Sequence, residues 1–205
     1  MSMGNTYISG EYHFPLEQKE WTQVWLDEAM DTQTPRVLLV GDSIFNGVIR
    51  NIINMVDGSV LFDSFCSSKA VDNPYFLEEL EVFMKQQKHR RVIIFNNGLH
   101  GWHLKDETEY AKAYEEMLSC LKSKFPDTPI VVSLTTAIRD EHLPRVLVRN
   151  EMAKQVAEKY QCPILDLFTE SQKYEQLMLD DGIHFQEIGY QEMCKYIIDY
   201  ISCYL

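Results

Sequence analysis

Short apolar runs alternate with longer amphipathic segments along most of this chain. The apolar runs have the length of β-strands and lie at 36–41, 59–64, 91–96, 129–135 and 163–166. The segments between them repeat apolar residues every three or four positions, which predicts helices at about 44–56, 74–87, 106–124, 141–160 and 186–203. This alternation predicts an α/β fold in which helices cover both faces of a parallel sheet of about five strands. Such sheets bind ligands at the carboxyl ends of their strands.

The first 35 residues precede this alternation and contain one further amphipathic segment. A helix is predicted at about 16–30, where Trp21 and Trp25 lie one turn apart. The two tryptophans are expected to pack this helix against the rest of the chain, although the same stripe also suits a binding partner. Because the sequence contains no internal repeat, low-complexity tract or Gly/Ser linker, residues 1–205 are predicted to form a single domain, with 1–35 as an N-terminal extension.

Composition and charge exclude several classes of partner. The 205 residues carry a formal net charge of −12, whereas nucleic acids and anionic membranes are bound by clustered Lys and Arg. A neutral substrate, or one whose charge lies far from the reacting bond, suits this surface. No apolar run has the length of a membrane span, and the start of the chain lacks the basic and apolar segments of a secretory signal. The five cysteines form no CxxC pair, so free thiols and a cytoplasmic location are expected.

A serine stands where the first strand of the predicted sheet gives way to a helix. Gly41, Asp42 and Ser43 follow the run 36–40 directly. Asp and Ser are good helix N-caps, so the triplet is equally typical of a simple helix start. At the start of a helix, the Ser43 hydroxyl is a candidate nucleophile and its N–H, at the positive end of the helix dipole, is a candidate oxyanion donor. The Gly-x-Ser-x-Gly elbow of the α/β-hydrolases is absent.

An acid and an imidazole lie three residues apart near the end of the chain, in Asp181-Gly182-Ile183-His184. Residues at this spacing meet in a turn, and Gly182 relieves the backbone of steric restriction there. The carboxylate can then accept from one imidazole nitrogen and leave the other free to take a serine proton. Alone, such a pair is more typical of a structural loop. Together with Ser43, it predicts a relay of nucleophile, base and orienting acid.

In these two segments the sequence resembles the SGNH or GDSL hydrolases, a family of serine esterases and lipases. Gly41-Asp42-Ser43-Ile44 is similar to the first block of that family, and Asp181-Gly182-Ile183-His184 is similar to its last block, Asp-x-x-His. The resemblance spans about 36–200. It implies a flavodoxin-like, three-layer α/β/α sandwich with Ser43 as nucleophile, His184 as base and Asp181 as orienting acid, without a cofactor or a metal.

The middle blocks depart from the family pattern. The family has a glycine N–H after its second strand, but 64–70 contains no glycine, and Ser68 aligns best with that position. The family also has an asparagine in Gly-x-Asn-Asp, where this chain has His100 and then Gly101. The resemblance therefore implies an oxyanion hole made of the N–H groups of Ser43 and Ser68 and the side chain of His100, since an imidazole can donate to an oxyanion. Asn97 is the alternative third donor.

Three further features at this edge of the sheet have both a functional and a structural interpretation. Trp102 is a candidate platform for a sugar ring or a wall of the pocket. Arg139, after the fourth strand, is a candidate contact for substrate oxygens or a partner of the acids that follow it. His100, His103 and Asp106 are spaced as His-x-x-His-x-x-Asp, but this is not the helical i,i+4 spacing typical of zinc sites, and no metal is predicted.

The sequence therefore predicts an enzyme that hydrolyses a carboxylic ester through an acyl-serine intermediate. The resemblance implies substrates that range from acetylated carbohydrates to lysophospholipids and acyl thioesters. The acidic surface and Trp102 favour a short acyl group, such as O-acetyl, on a carbohydrate. A lysophospholipase or thioesterase is the alternative, and the altered middle blocks also suit a non-catalytic carbohydrate-binding module on the same fold. The sequence leaves the oligomeric state open.

Overall fold

The computed structural model describes residues 6–9, 12–17, 19–87, 89–104 and 106–205. Near the N-terminus, β1 (Thr6–Ser9) and β2 (Tyr12–Pro15) form a two-stranded antiparallel sheet. The central sheet contains β3 (Thr22–Trp25), β4 (Arg36–Gly41), β5 (Leu61–Ser67), β6 (Arg90–Phe95), β7 (Ile130–Ser133) and β8 (Ile164–Leu165). Its spatial order is β3-β5-β4-β6-β7-β8.

The strands β4 to β8 are all parallel, which confirms the predicted α/β fold class. Counted along the chain from β4, they lie in the order 2-1-3-4-5, which is the flavodoxin-like arrangement. The order reverses between β4 and β6, so a crevice opens at the carboxyl ends of these two strands. Ser43 follows β4 and the loop 96–104 follows β6. Both therefore lie at this switch point.

Among the described residues, six α-helices surround the sheet: α1 (Ser43–Ile52), α2 (Pro74–Met84), α3 (Glu107–Lys124), α4 (Leu143–Lys159), α5 (Leu167–Gln172) and α6 (Glu187–Ile201). Two short 3-10 turns lie at Glu175–Leu177 and Ser202–Tyr204. None of the helices in this part of the chain is long and apolar enough to cross a bilayer.

The strand β4 is buried on both faces, and its alternate side chains contact different helical layers. Val37 and Leu39 belong to the core shared with α1 and α6, whereas Leu38 and Val40 belong to the core shared with α2 and α3. Neighbouring side chains of a strand point to opposite faces of the sheet. A strand between two helical layers is therefore apolar throughout, and this is the pattern that predicted it.

The helices α1 and α6 pack against each other at close range. A Cβ atom at Gly47 would lie 2.2 Å from Cζ of Tyr190, so a side chain at this position would collide with the ring. The Sγ of Cys194 lies 3.5 Å from the backbone oxygen of Val48. Because α6 begins shortly after His184, this packing brings the segment before α6 beside the start of α1.

The helix predicted at 16–30 is wrong. The strand β3 lies there instead and pairs antiparallel with β5, so the sheet has one more strand than predicted. Its side chains are exposed, including Trp25, which is 47% exposed, whereas Trp21 packs against the core. At the edge of a sheet, pairing with a neighbouring strand satisfies the backbone, and this neighbour decides the conformation more than local periodicity does.

A buried arginine fixes the chain after β3. The guanidinium of Arg36 donates to the backbone oxygens of Asp27, Glu28 and Asp31 at 2.7, 2.8 and 2.9 Å. These bonds hold the segment 27–31 beside the start of β4. The remaining predicted strands and helices are confirmed with shifted ends, while α5 was not predicted. The extent of the domain, 1–205, stays a prediction.

Candidate active site

Ser43 is the first residue of α1, at the switch point of the sheet. The helix cap is Asp42, whose Oδ1 accepts a hydrogen bond of 3.0 Å from the N–H of Ile44. The half-buried Ser43 hydroxyl is therefore not used as the cap. The Ser43 N–H belongs to the first turn, where N–H groups have no partner within the helix and lie at the positive end of its dipole. This position suits an anion.

Asp181 and His184 lie in a tight turn before α6. The Oδ1 of Asp181 accepts hydrogen bonds of 2.9 Å from the N–H groups of both Ile183 and His184. Gly182 has a φ of +71°, and a Cβ there would lie 2.9 Å from the backbone oxygen of Arg139. Both the backbone conformation and the lack of space therefore favour glycine.

Ser43, His184 and Asp181 form one hydrogen-bonded chain. The Oγ of Ser43 lies 2.7 Å from Nε2 of His184, and Nδ1 of the same ring lies 2.7 Å from Oδ2 of Asp181. In the neutral ring, Nδ1 carries the proton because it faces a carboxylate, and the Nε2 lone pair faces the hydroxyl. Partial burial raises the pKa of Asp181, but the hydrogen bonds from Ile183 and His184 outweigh burial and hold the pKa below its usual range.

Arg139 supports this turn. Its backbone N–H donates to the oxygen of Gly182 at 2.7 Å. Its exposed guanidinium reaches the backbone oxygens of Met178 and Leu179 at 3.4 and 3.5 Å. These contacts support the turn rather than pair Arg139 with the acids that follow it, and a contact with substrate stays a prediction.

The backbone N–H of Ser68 is already engaged, which contradicts the oxyanion role predicted for it. This N–H donates to the backbone oxygen of Trp21 at 3.1 Å. The Ser68 Oγ accepts from the Trp21 N–H and donates to Oε2 of Glu20, both at 2.9 Å. The next N–H, of Lys69, donates to Oγ of Ser67 at 3.1 Å. Because Trp21 is 47 positions away from Ser68, the local sequence gives no sign of this pairing.

His100 follows β6 and meets the N-terminal segment. Its Nδ1 lies 2.7 Å from Oε1 of Glu17, and the His100 side chain is 12% exposed. Its Nε2 is shielded from solvent and has no hydrogen-bond partner within the described ranges. Burial lowers the pKa of His100, but the hydrogen bond to Glu17 and the negative charges of Glu17, Asp42 and Glu20 raise it above its usual value.

Asn97 is buried and joins two loops at the carboxyl edge. Its Nδ2 donates to the backbone oxygen of Lys69 at 2.8 Å. Its own backbone oxygen accepts from the hydroxyl of Tyr110. The amide uses one of its two N–H groups to hold the Lys69 backbone, and the choice between His100 and Asn97 as third oxyanion donor stays a prediction.

Trp102 contacts groups of the protein itself. The ring centres of Trp102 and His142 lie 4.3 Å apart, and Cζ of Arg149 lies 4.2 Å from the Trp102 ring centre. A guanidinium over an indole ring makes a favourable cation–π contact. The ring is therefore packed among protein groups, and its role as a sugar platform or as a wall of the pocket stays a prediction.

The three residues with metal-like spacing have separate partners. His100 contacts Glu17, whereas Nε2 of His103 lies 2.7 Å from Oδ2 of Asp72. Asp106 caps α3 by accepting from the N–H groups of Thr108 and Glu109. Within the described part of the chain, no three side chains of the metal-binding types lie close enough together to hold an ion.

The sequence profile of the GDSL-like lipase/acylhydrolase family matches residues 39–192, well over half of the chain. The chain belongs to this family. A lipolytic protein of the G-D-S-L family from Veillonella parvula is similar in structure, with a TM-score of 0.66 and 19% identity over 81% of this chain and 97% of that one.

Two acetyl xylan esterases are also similar to this GDSL-family chain. AlAXEase has a TM-score of 0.63 and 15% identity, over 81% of this chain and 99% of that one. The enzyme from Geobacillus stearothermophilus has a TM-score of 0.59 and 15% identity, over 82% and 94%. At these identities the likeness shows the fold alone. A search among curated protein sequences finds no significant match.

Sequence reasoning missed two residues at this GDSL-type site, Glu17 and Arg149. The buried Arg149 donates to the backbone oxygens of Gly98, His100 and Gly101 at 3.0, 2.5 and 3.0 Å, and so fixes the loop that carries His100. Its position was detectable, because it lies on the face of α4 that also carries Val146 and Ala153. Glu17 was not, because it lies 83 positions from His100.

Proposed function

We propose that this GDSL-family protein hydrolyses carboxylic esters through an acyl intermediate on Ser43, and that its substrates are short acyl esters, above all O-acetyl groups, on carbohydrates. The observation that carries the proposal is the 2.7 Å contact between Oγ of Ser43 and Nε2 of His184, with Asp181 behind the ring. A serine hydroxyl is a weak nucleophile, and an adjacent imidazole in the correct tautomer activates it.

In the first half of the proposed reaction, Nε2 of His184 takes the Ser43 proton while Oγ bonds to the ester carbonyl carbon. The carbonyl electron pair moves to oxygen, which gives a tetrahedral oxyanion. The bond to the alcohol oxygen then breaks, and that oxygen takes the proton from His184. Asp181 remains ionised throughout and stabilises the imidazolium, and its lowered pKa supports this role.

In the second half, water replaces the alcohol. His184 takes a proton from water as the water oxygen bonds to the acyl carbon, and a second tetrahedral oxyanion forms. The bond to Ser43 Oγ breaks, and His184 returns the proton to the serine. The carboxylic acid leaves, and the enzyme is restored without a cofactor.

The oxyanion is stabilised in this proposal by the N–H of Ser43, the positive end of the α1 dipole and the side chain of His100. Because the N–H groups of Ser68 and Lys69 are engaged elsewhere, the hole has fewer backbone donors than the family pattern implies. A charged donor forms hydrogen bonds about twice as strong as a neutral one. The Nε2 of His100, which has no partner among the residues that the structure describes, is therefore the candidate that compensates for the missing donor.

Two observations support a short acyl group. The net charge of −12 gives anionic lipid substrates no electrostatic attraction. An open groove of about 380 Å³ lies between β3 and α2, but its lining includes neither Ser43 nor His184, so it is not positioned to hold an acyl chain at this site. The acetyl xylan esterases of similar fold make acetylated sugars the first carbohydrate esters to test.

The test combines a covalent probe with a panel of esters. A fluorophosphonate should label the wild type and leave Ser43→Ala unlabelled. Catalytic efficiencies would then be compared for p-nitrophenyl acetate, p-nitrophenyl palmitate, a lysophospholipid, an acyl thioester and acetylated xylo-oligosaccharides, since discrimination between substrates appears in the ratio of kcat/KM values.

We expect Ser43-dependent release of acetate from the acetylated sugars and much weaker hydrolysis of the long-chain esters. Preference for the palmitate, lysophospholipid or thioester would overturn the assigned substrate class. Binding of the sugars without any hydrolysis above the Ser43→Ala control would identify a carbohydrate-binding module instead.

A further inference from the structure

The active-site region contains a second carboxylate–imidazole pair besides Asp181 and His184. Oε1 of Glu17 lies 2.7 Å from Nδ1 of His100. The His100 side chain is 12% exposed, whereas that of Glu17 is 36% exposed. In the proposed reaction His100 is an oxyanion donor, whereas Glu17 has no role.

The second ring nitrogen of His100 distinguishes this pair from Asp181 and His184, where Nε2 contacts Ser43. The Nε2 of His100 is buried and has no hydrogen-bond partner among the described residues. Leaving a buried polar atom without a partner costs free energy. A ligand oxygen that accepts from Nε2 would remove this cost.

The proton count of the ring decides whether Nε2 can donate. With Nδ1–H bonded to a carboxylate, Nε2 carries a second proton only if the imidazole is an imidazolium. The acidic groups that act on the ring are Glu17, Glu20 and Asp42, and all three raise the pKa of His100 against the effect of burial. The Arg149 guanidinium meets His100 at the backbone oxygen of that residue, and Glu107, 2.5 Å from Arg149 and also paired with Arg145, balances part of its charge.

The segment that carries Glu17 is held beside the site by its own contacts. Oε1 of Glu20 accepts from the N–H of Glu17 at 3.0 Å. Oε2 of the same carboxylate accepts from the Ser68 hydroxyl. Ser68 is also bonded to Trp21, because its Oγ accepts from the Trp21 N–H and its own N–H donates to the Trp21 oxygen. Ser68, whose N–H is not free to bind an oxyanion, therefore holds the segment that carries Glu17 next to His100.

We propose that Glu17 is a positioning residue of this hydrolase, whose carboxylate orients His100 and keeps it doubly protonated so that Nε2–H donates to the oxyanion. The inference rests on the proposed function. The two imidazoles then work in opposite states: His184 is neutral and accepts the serine proton, while His100 is cationic and stabilises negative charge. Each is paired with its own carboxylate.

The pH profile of ester hydrolysis tests this assignment. The activity falls at high pH because His100 loses its second proton, and this fall is the alkaline limb of the profile. Removing the Glu17 charge lowers the pKa of His100, so Glu17→Gln should move the alkaline limb of kcat/KM to lower pH by about one unit or more. Its kcat at neutral pH should fall about 10- to 100-fold, less than the roughly 10²–10³ cost of losing an oxyanion donor outright.

Matched variants separate this effect from general damage. Asp72→Asn removes the carboxylate from the His103 pair on the same loop and should leave the alkaline limb in place. His100→Asn introduces an amide donor that needs no extra proton, so the pH profile of this variant should have no alkaline limb. Glu17→Gln should have little further effect in the His100→Asn background. The proposal would be overturned if the alkaline limb of Glu17→Gln lay at the wild-type pH. It would also be overturned if Glu17→Gln caused the same loss of activity in the wild type and in His100→Asn.

A second readout does not depend on activity. Ring-nitrogen NMR of His100 at pH 7 should show both nitrogens protonated in the wild type and one in Glu17→Gln. A neutral His100 in the wild type overturns the role of Glu17 while Ser43-dependent hydrolysis leaves the proposed function standing. Absence of any Ser43-dependent hydrolysis overturns the proposed function itself.

Discussion

Nε2 of His184 lies 2.7 Å from Oγ of Ser43, although 141 positions separate the two residues along the chain. The contact depends on the close packing of α1 on α6 at Gly47 and Tyr190. It also depends on the hydrogen-bonded turn at Asp181, which sets the direction of the His184 ring. The three side chains are therefore already in hydrogen-bonding contact without a substrate, so the proposed activation of Ser43 requires no rearrangement.

Replacing Asp181 with Asn is expected to lower kcat by about 10³–10⁴, with a smaller change in KM. The amide of asparagine can donate to Nδ1, which would move the ring proton to Nε2 and remove the base that faces Ser43. Steady-state kinetics with p-nitrophenyl acetate measures the effect. Asp180→Asn, at the exposed neighbouring acid, is the control, and equal kcat values in the two variants would exclude Asp181 from the relay.

His100 and Asn97 should separate catalysis from stability. His100→Ala removes the proposed oxyanion donor and should lower kcat by about 10²–10³ with little change in KM. Asn97→Ala leaves the backbone oxygen of Lys69 without its partner and should lower the free energy of unfolding by about 1–3 kcal/mol. Kinetics and urea denaturation of both variants check this. A large loss of kcat in Asn97→Ala alone would transfer the donor role to Asn97.

Gly182→Ala should disturb both the turn and the relay. The φ of +71° disfavours a side chain, and its Cβ would lie 2.9 Å from the backbone oxygen of Arg139. We expect a loss of about 1–3 kcal/mol in unfolding free energy and a lower kcat, because the turn must shift to admit the methyl group. Gly58→Ala is the matched control, since Gly58 has a φ of +85° but no atom within 4 Å of its Cβ position. That variant should be strained but fully active.

Asp63→Asn should be strongly destabilising. The buried Asp63 carboxylate lies 2.7 Å from Nη1 of Arg36 and 3.2 Å from Nη2 of Arg90, and all three side chains are nearly inaccessible. Removing the anion leaves two buried cations without their partner, which costs about 3–5 kcal/mol. Urea denaturation should show this loss. Glu116→Gln, in the exposed pair with Lys112, should change stability by less than about 1 kcal/mol.

The sequence by itself determined the elements of the parallel sheet and the positions of Ser43, Asp181 and His184. Apolar runs such as 36–40 predict buried strands because both faces of the strand are covered. Ser43 follows from the end of such a run, and the Asp181 turn follows from a spacing of three residues around Gly182. These features depend on interactions between near neighbours, which the order of residues records directly.

Only the tertiary structure decided which groups surround the reacting atoms. The edge strand β3 forms because β5 offers it a partner, and this pairing places Trp21 against Ser68, 47 positions away. The Ser68 N–H, which the family pattern implies as an oxyanion donor, is bonded to the Trp21 oxygen as a result. The Glu17 carboxylate reaches His100 across 83 positions for the same reason. Hydrogen bonds between distant segments depend on where the packed layers bring those segments together, and no local pattern of residue types specifies that meeting point.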